Sequence, residues 1–199
     1  GVSLSANWMW PTRNEGEDAR LYKAVKGASD FAIALGINIP TGKDSMSMTQ
    51  KYPSGEKVLS PGTLIVSTVG QVSDISKTLH AAFGSVPSKV LYIPFDRVPQ
   101  YNLGGSAYAQ VCSAVGRSCP DIKDPAYFAR CFEAVQHIVG SEMALAGHDI
   151  SAGGLITTLL EMCFANVEGG LEINVDGFKE DDLAKILYAE NPGVVIQVA

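Results

Sequence analysis

DPAYFARCFEAVQHIVGSEMALAGHDISAGGLITTLLEMCFA, residues 124–165, is the stretch from which the fold is read. Pro125 suits the first turn of a helix, where its missing N–H costs no hydrogen bond. The apolar residues behind it predict one long helix over 124–147, with Gly140 marking a break or a close approach. Leu155, Leu159, Met162 and Cys163 recur at helical spacing and predict a further helix over 154–165. HDISAGG (148–154) turns the chain between them. Towards the C-terminus, GLEINV (170–175) alternates as a strand does, DDLAKILYAE (181–190) reads as a helix with an acidic pair at its positive end, and GVVIQV (193–198) reads as a strand. Before it, KVLYIPF (89–95) begins a fresh strand. YNLGGSAYAQVCSAVG (101–116) passes through Gly104 and Gly105 into a helix whose apolar face is Tyr108, Val111, Cys112 and Val115. Residues 89–199 therefore read strand, helices, strand, helix, strand, an α/β or α+β layer.

The first 80 residues read differently. Asn14 followed by Glu17 has the spacing of a capping box. Leu21, Val25, Ala28, Ala32 and Leu35 then form one apolar stripe, and Gly36 ends the helix. INIP is a short strand closed by Pro40, TGKDSMSMT is extended or looped, YPSGEK turns at Gly55, and the β-branched run TLIVSTVGQV (63–72) predicts a central strand. Residues 73–88 connect the halves, with a domain boundary near 80–88. The chain opens GVSLSANWMW without an initiating Met, mid-pattern, and is expected to be a piece of something longer.

Composition narrows the function. The chain of 199 residues carries a net charge of -6, and no run of Lys or Arg supplies the basic stripe that nucleic-acid binding needs. No apolar stretch approaches the roughly 20 residues of a spanning helix, so no membrane partner is expected. Cys112, Cys119, Cys131 and Cys163 form no CxxC pair, and His80, His137 and His148 match no zinc-ligand spacing. Cys131 and Cys163 read as small buried apolar residues, and the set suits a reducing, cytoplasmic setting.

Three segments carry candidate chemistry. In HDISAGG, Asp149 and Ser151 place a carboxylate and a hydroxyl ahead of Gly153 and Gly154, whose bare backbones admit a phosphate to the helix N-terminus. A carboxylate there suits Mg²⁺, a hard cation. Helix capping by Ser151 and satisfaction of loop amides by Asp149 explain the same residues without a ligand. His148 is either a proton-transfer group or a hydrogen-bonded structural residue. In TGKDSMS, Lys43 offers a cation for a phosphate and Asp44 a carboxylate for a metal or hydroxyl, but no P-loop pattern surrounds them, and a strand-edge salt bridge is the plainer explanation. In GEDAR (16–20), Arg20 pairs with Glu17 or binds an anion, and LGGS (103–106) suits either an anion or tight helix packing.

SANWMW, GEDARLYKAVK, ALGINIPTGKDSMSM, LGGSAYAQV and HDISAGGL, in this order, resemble the phosphoribosylformylglycinamidine synthase family in its large single-chain form. The resemblance spans nearly the whole chain. It implies the end of a ferredoxin-like first domain (1–85) and most of an aminoimidazole-ribonucleotide-synthetase-like C-terminal α/β domain (86–199), from the C-terminal synthetase unit. It implies part of an ATP-dependent carbon–nitrogen ligase, acting with glutamine as amido donor on formylglycinamide ribonucleotide in purine biosynthesis. The cofactors implied are ATP and Mg²⁺. The partners implied are the remaining synthetase and glutaminase domains, with a homodimer of the fragment where its edges are bare. By motif, Asp149 matches the family's Mg²⁺ ligand and Ser151 its ATP-contacting serine, with Gly153 and Gly154 beside the nucleotide and Lys43 in a supporting role. Ile150 and Ala152 stand where the family's HDRSDGG segment has Arg and Asp, losing two charges. The family's other metal ligands lie upstream of Gly1, so the fragment alone is expected to be inactive. A non-catalytic auxiliary nucleotide site is the alternative.

Overall fold

Val2–Met9 is the strand on which the first half of the chain is built, although its mixed sequence VSLSANWM carries no plain strand signal. In the computed structural model, which describes residues 1–166 and 168–199, this strand β1 lies at the centre of a sheet with order β2-β1-β5. Strand β2 (Asn38–Ser45) runs parallel to it, and β5 (Thr63–Gly70) antiparallel. The β-branched run is thus an edge, correcting its reading as the central strand. Ile65, Val66 and Val69 are exposed along it. β-Branched residues mark a pleated surface but do not say which strand is flanked on both sides.

Pro40 does not close β2. The register between β1 and β2 slips between Ser3 and Ser5, opposite Asn38 and Thr41, so Pro40 sits in a bulge of an edge strand, where a missing N–H is tolerated. TGKDS is therefore strand rather than loop. Helix α1 (Glu17–Ala34) connects β1 to β2. Its N-cap is Gly16, in the left-handed region, with no side chain capping it. Asn14 instead donates from Nδ2 to the Pro11 carbonyl at 2.8 Å and to Thr49 Oγ1 at 2.9 Å, which corrects the capping box. Within the expected stripe, Ala32 is buried, Leu21, Ala28 and Leu35 are half-buried and Val25 is exposed. Strands β3 (Thr49–Lys51) and β4 (Lys57–Leu59) form a hairpin that turns at Gly55, whose φ is 87°.

The chain divides into two units, Gly1–Ser73 and Asp74–Ala199. The connection after Ser73 belongs with the second unit for a physical reason. The Gly147 N–H donates to the His80 carbonyl at 3.1 Å, the Phe83 N–H to Met162 at 2.9 Å, and Gln197 Nε2 to Gly84 at 2.8 Å.

The second unit has an antiparallel sheet of order β6-β8-β7, built from β6 (Lys89–Pro94), β8 (Gly193–Val198) and β7 (Ala144–Asp149). β7 replaces the last turns of the long helix expected over 124–147. Helix α3 (Pro125–Gly140) stops at Gly140, and Ser141 closes it by donating from Oγ to the His137 carbonyl at 2.6 Å. Glu142 then takes a φ of 59°, and the chain leaves as a strand whose ladder bonds go to β8. An apolar run fits a helix and a buried strand equally, and the partner strand decides. GLEINV shows the converse. It alternates but forms no strand, and Leu171 and Ile173 are exposed.

Helix α4 (Gly154–Cys163) packs Leu155, Leu159 and Met162 against Ala146 and Val195 on one face of this sheet, with Tyr92 and Phe178 closing the cluster. The short helix α2 (Ala107–Val111) buries Ala109 rather than the expected face, leaving Val111, Cys112 and Val115 exposed. Helix α5 (Leu183–Tyr188) is capped by Asp182, which accepts from the Ala184 and Lys185 amides. All four cysteines are free, with Cys131 buried and Cys163 half-buried.

Candidate functional site

The antiparallel order puts the C-terminal ends of β6 and β7 and the N-terminal end of β8 at one end of the sheet. Asp149 is the last residue of β7, paired with Val194, and the Ile150 N–H donates to the Gly193 carbonyl at 2.9 Å. The chain then turns through Ser151 and Ala152 into α4. Gly153 caps that helix with a φ of 89° and no side-chain cap bond. Ser151 is thus not the N-cap. Its carbonyl accepts the Gly154 N–H at 3.0 Å while its side chain is exposed. Nor does Asp149 satisfy loop amides. Its side chain is 74% exposed, and its carboxylate meets His148 Nδ1 at 3.3 Å. The two side chains with hard oxygen donors therefore stand open to solvent at the end of the sheet.

His148 is 20% exposed and sits between two carboxylates, with Nε2 3.0 Å from Glu161 Oε2 on α4. That contact fixes the ring against the helix and places its other nitrogen beside Asp149. Thr158, buried, donates to the Asp149 carbonyl at 3.2 Å, tying the strand end to the first turns of α4.

The two glycines serve different geometry. A Cβ on Gly153 would stand 2.2 Å from Thr157 Oγ1, at a φ that L residues rarely adopt. A Cβ on Gly154 would stand 2.7 Å from the Leu187 carbonyl oxygen on α5, also at positive φ. The close neighbour of Gly154 is thus the backbone of α5. LGGS is similarly packed. Gly104 faces the Ser118 carbonyl, where a Cβ would come within 2.4 Å, and buried Ser106 caps α2 by accepting the Ala109 N–H.

Sequence reasoning missed Glu190, just before β8. One oxygen, Oε1, accepts the Ala107 N–H at 2.8 Å and the Gly153 N–H at 2.9 Å. It also missed Asp96 and Asn191, both buried, each holding one side-chain oxygen without a partner. Continuing the β6–β8 register, in which the Phe95 N–H donates to Pro192 at 2.9 Å, places these two opposite each other at the same end of the sheet. ENPG (190–193) carries no motif, and only the fold gives it partners.

The other sequence candidates lie in the first unit. Gly42 pairs with Ala6 so closely that a Cβ would stand 2.1 Å from the Ala6 carbonyl oxygen, so strand packing requires this glycine. Lys43 is exposed and donates to Ser45 Oγ and, at 3.3 Å, to the Asp44 carbonyl. Arg20 pairs with Glu17 at 2.5 Å and stacks its guanidinium over the buried Trp10 ring, 5.8 Å from the centroid.

Residues 98–199 match the family described as AIR synthase related protein, C-terminal domain. The chain belongs to the AIR synthase related family. Residues 1–71 match a second family description, FGAR-AT PurM_N-like domain. Among curated relatives, the chain is 37% identical over 201 residues to the probable phosphoribosylformylglycinamidine synthase, chloroplastic/mitochondrial, of Arabidopsis thaliana. It is 38% identical over 212 residues to the probable phosphoribosylformylglycinamidine synthase of Caenorhabditis elegans. All of this chain is covered in both, but only 14% and 16% of those proteins. Among solved structures, PurLQS from Thermotoga maritima has a TM-score of 0.62 at 14% identity, over 99% of this chain and 29% of that one. T. maritima PurL complexed with ATP has a TM-score of 0.55 at 13% identity, over 100% and 29%. HypE of E. coli, a hydrogenase maturation protein, has 0.53 at 15% identity, over 98% and 58%. At these identities the likeness is one of fold. The two family descriptions, a PurM_N-like segment followed by the AIR synthase related domain, match an architecture of α+β and α/β parts in this chain.

Proposed function

We propose that this chain is the nucleotide-handling part of an ATP-dependent ligase that converts formylglycinamide ribonucleotide and glutamine to formylglycinamidine ribonucleotide. The observation that carries the proposal is the outward pair at the end of β7. Asp149 keeps a carboxylate, and Ser151 a hydroxyl, facing solvent just before the start of α4. The names of the two curated relatives support the reaction, and T. maritima PurL complexed with ATP, similar in fold, supports the nucleotide.

The donor set fits Mg²⁺. Among the described residues no cluster of three or more His, Cys, Asp or Glu exists to cage an ion. Mg²⁺ is ordinarily held by one or two carboxylates together with phosphate oxygens and water, and Asp149 supplies such a carboxylate. Bound there, the ion would offset phosphate charge. Ser151 would hydrogen-bond a phosphate oxygen, and Gly153 and Gly154 would give the loop its shape against the nucleotide. The remaining synthetase and glutaminase domains would supply the rest of the site. Ile150 and Ala152 bring no charge to the loop, so in this reading the grip rests on Asp149 and Ser151.

Mg²⁺–ATP titration of the full-length protein tests the reading. We expect binding that depends on Mg²⁺ and weakens in Asp149→Ala, together with loss of amidine formation. Turnover that survives Asp149→Ala while bound nucleotide is lost would make the site auxiliary. The 199-residue chain by itself is expected to form no amidine from ammonia and ATP.

A further inference from the structure

Glu190 places a half-buried carboxyl group at the polar end of the sheet. Its single Oε1 receives two backbone N–H groups, from Ala107 at 2.8 Å and Gly153 at 2.9 Å. Those amides belong to the two glycine-rich turns, 103–106 and 151–154, which lie nearly fifty residues apart in sequence. Each amide lies at a helix start, where N–H groups lack an intrahelical acceptor and the local potential is positive. A carboxylate meets both needs, and a charge-assisted bond is stronger than one between neutral groups. Glu190 itself is seated by the strand that follows it. Gly193 pairs with Pro94, and Phe95 donates to Pro192, so the carboxylate is delivered from a rigid ladder.

The Gly154 N–H is also taken, by the Ser151 carbonyl at 3.0 Å. Consequently the amides of Gly153 and Gly154 are already engaged within the chain. Those two amides are therefore not offered to an anion that meets this loop.

We propose that Glu190 is a positioning residue. It clamps the 103–106 and 151–154 turns together and thereby holds Asp149 and Ser151 outward in the arrangement on which the nucleotide reading rests. The clamp is electrostatic and local. Glu190→Ala removes the acceptor, whereas Glu190→Gln keeps an oxygen at the same position and gives up the charge.

Hydrogen–deuterium exchange of the full-length protein, followed in peptides covering 103–109 and 150–156, reads the clamp directly. In Glu190→Ala we expect exchange at both turns to speed up about tenfold or more, while the β8 peptide stays as in the parent protein. Millimolar formate, which can seat a free carboxylate between the two amides, should slow it again, and Glu190→Gln, which keeps the oxygen but not the charge, should exchange at a rate between those of Glu190→Ala and the parent. Unchanged exchange at both turns in Glu190→Ala would overturn the proposal, and so would failure of both formate and Gln to restore protection. In parallel, Mg²⁺–ATP affinity should fall about tenfold in Glu190→Ala and recover in formate, the size typical of losing an outer supporting contact. If the parent protein binds no nucleotide, the function proposed above fails, and the exchange measurements still decide the clamp.

Discussion

TGKDS (41–45) and DISAGG (149–154) both set glycine beside a carboxylate and a serine, and they fold to opposite ends. In the first, the glycine is pressed against the Ala6 carbonyl in an edge strand, and the lysine turns back onto its own Ser45. In the second, the glycines follow the end of a strand and start a helix, leaving a carboxylate and a hydroxyl unclaimed by the loop. Glycine grants close approach in both places, but what approaches differs. For Gly42 it is a neighbouring strand, and for Gly154 it is the backbone of α5. A short glycine-containing string therefore marks crowding, and only the surrounding elements say whether its polar neighbours are left facing outward.

The contrast can be broken most severely at the glycines. Gly154→Ala adds a Cβ at a φ of 72° and 2.7 Å from the Leu187 oxygen. Left-handed strain and the backbone clash together should lower stability by about 3 kcal/mol, read by thermal unfolding, and should cost nucleotide binding too. Gly42→Ala is its counterpart in the strand. An edge strand can shift outward, so a loss of about 2 kcal/mol is expected there, with nucleotide affinity unchanged. Equal effects of the two substitutions on nucleotide binding would erase the distinction.

Side-chain changes sharpen the comparison. Asp149→Asn should weaken Mg²⁺–ATP binding about tenfold, with little effect in the absence of Mg²⁺, by calorimetric titration at matched ionic strength. Lys43→Ala should change that affinity by no more than about twofold, as suits an exposed, screened charge. The smallest effect is expected at Glu180, just before the helix that seats Gly154. The Asp182 amide above all holds its carboxyl below the usual 4.5; desolvation opposes it, and the Lys185 side chain adds a lesser lowering. A depressed carboxylate pKa adds stability above the unfolded value and loses it as pH falls through the folded one. Glu180→Gln should thus lower the melting temperature slightly at neutral pH, and the gap should close in acid below 4.5. A gap that persists there would point to packing instead of charge.

Much of the second unit was legible. The strands at 89–95 and 193–198, the helix after HDISAGG and the helix after Asp182 are where local pattern places them, because each carries its own cap, glycine or β-branched run. The errors in placing strands share one cause. β1, the β7 stretch Ala144–Asp149 and the edge position of β5 depend on which strand lies alongside, a long-range fact that no local period contains. At the candidate site, Asp149 and Ser151 stand out because a charged residue and a hydroxyl before paired glycines form a compact string. Glu190, Asp96 and Asn191 do not, because their partners are backbone groups and positions brought in from far along the chain.

The sequence by itself determined the chemical inventory: an acidic chain without a basic stripe, a glycine-flanked Asp and Ser, and motifs sufficient to point to a family. Tertiary structure alone decided which of those groups face outward, which glycines are pressed by backbone, and that one carboxylate joins two distant turns. Side-chain chemistry is written residue by residue, whereas burial and hydrogen-bond partnership arise only when segments remote in sequence are closed against one another.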